Sequence, residues 1–168
     1  VARARQLDGL GVGLHLVVVC GKPVLPASEI PDLVAGNGEF DTNLVRSGFR
    51  YFFLPKVRRQ LAREIRAQFE AFERSGLELD HVNAHNHMHL HPTILSHIIR
   101  IGSEFGVSAV RVPHEPVDLP GGRRATVGER IGTACLRVWI GLMRFRLRRA
   151  GLKTNDRLYG IRDSGAMT

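Results

Sequence analysis

Five of the eight histidines in this chain fall within eleven residues, in the stretch His81-Val82-Asn83-Ala84-His85-Asn86-His87-Met88-His89-Leu90-His91-Pro92. Neutral imidazole is the commonest metal ligand and titrates near neutral pH, so such density points to metal or proton chemistry. All five occupy odd positions. In an extended segment successive side chains alternate between faces, which predicts that His81, His85, His87, His89 and His91 share one side of a strand and its exit loop. Such a row would spoil an apolar core. It suits a polar site in which one or two rings hold a divalent cation and the others form hydrogen bonds behind them. The run is internal and interrupted by Asn, Met and Leu, which separates it from an expression tag. A solvated polar loop is the competing reading.

The elements needed to position these rings follow from hydrophobic periodicity. Gly11 to Val19 is a Val-rich apolar run that reads as a buried strand, with His15 its one polar side chain. Residues 21–55, rich in Pro and Gly and containing Gly36-Asn37-Gly38, read as a long active-site loop with room for a short helix. Val57, Leu61, Ile65, Phe69 and Phe72 recur at helical spacing between Lys56 and Ser75, and Gly76 suits the position just past a helix end. Leu77 to Ala84 is the strand that delivers the histidines. Pro92 and Thr93 open a second helix with Leu95, Ile98, Ile99 and Phe105 on its apolar face, ended by Gly106. Val107 to Val112 reads as a further strand closed by Pro113. The order strand, loop, helix, strand, helix, strand implies βαβ units with right-handed crossovers and a parallel sheet or barrel. Active sites in such folds lie at the carboxyl ends of the strands, where His15 and the His85/His87 pair both fall.

At 168 residues with 43% hydrophobic content, the chain suits one globular domain or most of one. It lacks an initiator Met and reads as a piece of something longer. No apolar run approaches a bilayer-spanning length, and Val1-Ala2-Arg3-Ala4-Arg5 lacks a signal's apolar region. Cys20 and Cys135 are isolated, which argues against a disulfide framework or zinc ribbon and for a reducing, cytoplasmic setting. The net charge of +8 invites a nucleic-acid partner. Much of the excess, however, lies at helical periodicity in Lys56–Arg66 and Arg137–Lys153, and only 7% of residues are aromatic, so nucleic acid is not the expected partner. Residues 127–152 form a basic amphipathic helix. Ile131, Cys135, Val138, Leu142 and Phe145 make one stripe, Leu136, Trp139, Ile140, Met143 and Leu147 lie beside it, and Arg137, Arg144, Arg146, Arg148 and Arg149 border both. Packing on the parent domain, peripheral membrane contact at the inner membrane and a homodimer interface all fit this pattern.

Gly13-Leu14-His15-Leu16 followed by Gly21-Lys22-Pro23, and then His81-Val82-Asn83-Ala84-His85-Asn86-His87-Met88-His89, resembles the YdjC-like carbohydrate deacetylases, which include chitooligosaccharide deacetylases. The wording Asn83 to Pro92, with Arg111-Val112-Pro113 and Tyr159-Gly160-Ile161-Arg162-Asp163-Ser164-Gly165, is most similar to the hopanoid biosynthesis-associated branch. The resemblance covers nearly the whole chain. It implies an α/β fold, a distorted (β/α) barrel of the polysaccharide-deacetylase type, TIM-barrel-like and here incomplete, with the first strand and the closing elements missing. It also implies a divalent metal, zinc or magnesium, bound by one Asp and two His, the latter being His15 and His85. The family's Asp ligand and catalytic Asp come from an Asp-Asp pair on the first strand, expected upstream of this chain. Asn83 stands where many relatives have Asp.

Amide hydrolysis needs a polarised carbonyl, an activated water and a proton for the leaving amine; a metal with an open position provides the first two. His87 or His89 could assist through hydrogen bonding. Arg111 is a candidate for substrate or oxyanion contact, with a structural ion pair as its equal alternative, and Tyr159 is a further substrate-binding candidate. The expected function is a metal-dependent N-deacetylase acting on an N-acetylated amino sugar, lipid-linked if the hopanoid branch is right. A non-catalytic, His-rich metal-binding protein is the alternative.

Overall fold

The computed structural model describes residues 3–7, 9–113 and 127–156, with 127–133 described as helical backbone. Two compact units divide at Ala109 and Val110.

In the first unit, strand β1 (Val12–Leu16) pairs in parallel with β2 (Leu79–Ala84), His15 lying across from Asn83 and Leu16 from Ala84. A two-residue strand β3 (Ala109–Val110) straddles the boundary between the units. The order of elements is that of an α/β fold with crossover helices, as the periodicity predicts. Helix α1 (Leu44–Phe53) begins at Asn43, whose side chain accepts a hydrogen bond from the Arg46 N–H. Helix α2 (Pro55–Glu73) follows with Pro55 at its first turn, where its missing N–H does no harm. Within the stretch 21–55, expected as a long loop with room for a short helix, α1 is a helix and the chain before it is loop as far as Asn43.

Helix α2 buries Val57, Leu61, Ile65 and Phe69, the stripe read from the sequence. It also buries a polar row at spacing four, Gln60, Glu64 and Gln68. That row gives the loop after β1 the backbone partners that a sheet would otherwise supply. Gln68 receives the Val17 N–H at 3.0 Å and donates to the Val17 carbonyl at 2.6 Å. Glu64, fully buried, accepts the N–H groups of Val24 at 2.9 Å and Leu25 at 3.0 Å. Gln60 accepts the Asp32 N–H at 2.9 Å. From the other side, the buried Tyr51 hydroxyl on α1 donates to the Val18 carbonyl at 2.6 Å, and burial pushes its pKa up. The segment leaving β1 is thus held between two helices.

Helix α3 (Pro92–Gly102) completes this core with Ile94, Leu95, Ile98 and Ile101, and a short turn carries the chain to Gly106 at φ +72°. In the second unit, α4 (Val127–Arg149) precedes β4 (Lys153–Thr154). Ile140, Met143 and Leu147 are its buried stripe, whereas Val138, Leu142 and Phe145 are exposed. Asn155 holds the backbone of Val112 at both its N–H and its carbonyl, at 2.6 and 2.9 Å. No described helix is long and apolar enough to cross a membrane.

Candidate functional site

The expectation of five rings on one face holds only where the chain is extended. Strand β2 ends at Ala84, and Asn86 and His87 then adopt left-handed conformations at φ 50° and 53°. Such conformations cost non-glycine residues on the order of 1–2 kcal/mol each, and clusters of them are typical of functional sites. The turn breaks the alternation, and each histidine beyond Ala84 takes its own direction.

His81 stays on the strand. Its Nδ1 lies 2.8 Å from the Asp80 carboxylate, and its ring covers Gly13, where an added Cβ would sit 2.5 Å from Nε2. Any side chain at position 13 would have to displace the His81 ring on the neighbouring strand.

His15 emerges near the carboxyl end of β1, and its Nδ1 lies 2.7 Å from Oδ1 of Asn83 on β2. A carbonyl oxygen can only accept, so Nδ1 carries the hydrogen and Nε2 the lone pair. That Nε2 faces Nδ1 of His85 at 3.4 Å, with the rings edge to face at 5.6 Å between centroids. The sequence-predicted pair thus meets across the two strand ends, although 70 residues separate them. His87 is half-buried, and its ring lies 6.0 Å from that of His89, which is 2% exposed and so inside the protein.

His91 belongs to the fold. It precedes α3 and accepts the Thr93 N–H on its Nδ1 at 3.3 Å, and its ring lies edge-on to Tyr51 and Phe52. Burial pushes its pKa below the usual histidine value, which favours the neutral ring that can accept this bond. Arg111 is exposed and belongs to the second unit. Tyr159 lies outside the described residues. An open cavity of about 500 Å³ lies in the loop after β1, lined by Lys22, Pro26, Asn37 and Glu39 among others, and none of the histidines borders it.

The two facing nitrogens provide the test for a metal. A tetrahedral ion at the usual zinc–nitrogen distance of about 2.0–2.1 Å places two ligand nitrogens about 3.3–3.4 Å apart. The observed 3.4 Å matches that spacing and is long for a hydrogen bond. His15 and His85 therefore fit two positions of a ligand set. Among the described residues no group of three His, Cys, Asp or Glu is placed to hold an ion, so the pair does not make a complete site within them. Asn83, singled out in the sequence as the residue that stands where many relatives have Asp, proves to be the partner of His15.

Comparison with known proteins agrees with these motifs. The sequence matches the family model described as YdjC-like protein over residues 1–168. It is 38% identical over 113 residues to a carbohydrate deacetylase of Brevibacillus brevis, covering 67% of this chain and 42% of that protein. It is 32% identical over 146 residues to a chitooligosaccharide deacetylase of Salmonella paratyphi B, covering 79% and 54% respectively. The chain spans about half the length of the curated relatives it matches. Among solved structures, a cellobiose-phosphate cleavage protein from Enterococcus faecalis aligns with a TM-score of 0.55 at 20% identity, over 88% of this chain and 46% of that one. That likeness supports the α/β fold.

Proposed function

The chain belongs to the YdjC-like family, and from that premise we propose that the protein of which it forms part is a metal-dependent N-deacetylase acting on an N-acetylated amino sugar. The observation that carries the proposal is the convergence of His15 and His85 at 3.4 Å, with the lone pair of His15 Nε2 turned toward its neighbour by Asn83. His15 and His85 would hold the ion, with a carboxylate from outside the described residues completing the set. The ion, zinc fitting the nitrogen spacing better than magnesium, supplies carbonyl polarisation and water activation.

The protein's own groups do the rest. The left-handed turn at Asn86 and His87 points His85 back toward β1 while releasing His87 to a half-buried position near the strand ends. His87 is the better placed of the two proposed proton-handling histidines, because His89 is buried beyond reach of a substrate. Arg111 and Tyr159 remain proposed substrate contacts. The reading of the substrate as a hopanoid-linked amino sugar, handled by a cytoplasmic enzyme at the inner membrane, is supported by apolar surface. Val45, Phe49, Phe52 and Phe53 line the outer face of α1, and Val138, Leu142 and Phe145 lie exposed on α4 beside its arginines.

The test is acetate release from a lipid-linked N-acetylglucosamine by the intact protein, before and after chelation. Activity should vanish on chelation and return with zinc. Turnover that survives chelation would sink the metal mechanism. Release from chitooligosaccharides alone would keep the deacetylase and refute the lipid link.

A further inference from the structure

Asn83 does more than lie beside His15. We infer that it is a positioning residue that selects the tautomer of His15 and does so without adding charge, thereby setting how tightly the His15/His85 pair holds a cation. The inference rests on the two-histidine site proposed above.

Parallel pairing puts Asn83 directly across from His15, and the 2.7 Å contact is made by the amide oxygen. With that oxygen as acceptor, the His15 hydrogen resides on Nδ1, which is the less favoured tautomer of free histidine. Its Nε2 lone pair then faces His85 Nδ1, and a shared cation is held once His85 carries its own hydrogen on Nε2. If the amide were turned around, its NH₂ would donate to Nδ1. The His15 hydrogen would then move to Nε2 and point at His85 Nδ1, making a plain hydrogen bond and closing the site. The orientation of one amide therefore decides whether His15 Nε2 offers a lone pair or a hydrogen toward His85.

The neutrality of the amide matters as much as its geometry. A carboxylate behind a ligating histidine raises its basicity and tightens the metal. Here the nearby carboxylate of Asp80 is engaged with His81, on the preceding residues of the strand. Asn83 thus fixes the ring while leaving His15 a weaker donor, which holds the ion less tightly and leaves it a stronger Lewis acid.

Long-range ¹H–¹⁵N correlation spectra of the metal-free intact protein read the tautomer directly. Wild type should show His15 protonated at Nδ1, Asn83→Asp should keep that state, and Asn83→Leu should shift His15 to the Nε2–H form. Zinc titration by calorimetry should then show affinity about 10–100-fold weaker in Asn83→Leu and tighter than wild type in Asn83→Asp. An unchanged tautomer in Asn83→Leu overturns the inference, as does weaker zinc binding in Asn83→Asp. Should Asn83→Leu fail to fold by circular dichroism, Asn83→Ala puts the same tautomer question. Failure of wild type to bind zinc would instead defeat the metal reading, while the tautomer comparison would still judge the role of Asn83.

Discussion

His85 and His91 belong to one histidine-rich segment, six residues apart, and they have opposite environments. His85 follows β2 directly and meets His15 at the sheet's end, where both rings are accessible. His91 starts α3, accepts the Thr93 N–H and is walled by Tyr51 and Phe52, with its pKa lowered by burial. The same side chain serves as a candidate ligand in one place and as a helix cap in the other. What separates them is the left-handed pair Asn86 and His87, which ends the strand's alternation. Local density of a reactive residue type thus identifies a region, and backbone direction then selects which copies can do chemistry.

The sharpest way to break this comparison is to remove each ring in turn. His85→Ala should reduce deacetylation and zinc affinity by more than the about 10–100-fold typical of losing a partner behind a ligand. His91→Ala should leave zinc affinity within about threefold while costing about 1 kcal/mol of stability through the lost cap. Calorimetric zinc titration and urea denaturation of the two variants decide it. Equal loss of zinc binding in both would mean that the whole run acts as one site.

A third histidine extends the contrast to one with no proposed chemistry. His97 on α3 is half-buried, its Nε2 is enclosed without a hydrogen-bond partner, and its pKa is pushed down to about 4, chiefly by burial and secondarily by Arg100 and Arg58. Between about pH 4 and 6.5 the unfolded chain binds a proton there that the folded protein does not, so stability should fall as pH drops through that window. Urea midpoints at pH 7 and pH 4.5 should differ less in His97→Leu than in wild type; an identical difference would show that His97 protonates freely in the fold.

The smallest expected effect lies in the loop that leaves the site strand. Asp41 is buried, accepts hydrogen bonds from Arg46 and from the Asn43 N–H, and is held below the usual carboxylate range by them. A depressed carboxylate stabilises the fold above its unfolded pKa and ceases to do so as pH falls through its folded value. The stability difference between wild type and Asp41→Asn should therefore be present at pH 7 and shrink below about pH 4. A difference that is constant with pH would show the contacts to be sterically rather than electrostatically important.

Much of the architecture was legible from apolar spacing. The stripe Val57, Leu61, Ile65 and Phe69 is buried as periodicity requires, and Pro92 and Gly76 mark helix ends as their backbone preferences demand. The polar row Gln60, Glu64 and Gln68 was not legible, because on one helix a buried amide and a solvated one look alike until the loop that needs them is in place. The run after Ala84 misled for a related reason. A strand pattern carries no mark of where alternation stops, and non-glycine residues in left-handed conformations leave little trace in the sequence.

Taken alone, the sequence determined that the chain builds parallel βαβ units and that His15 and His85 sit at strand ends, because hydrophobic period and turn residues are local properties. Only the tertiary structure decided which imidazole nitrogens face one another, that Asn83 orients His15, and that His91 is a cap. Those outcomes depend on the register between β1 and β2 and on the direction of one tight turn. Both are set by contacts between residues far apart in the chain, which no local pattern encodes.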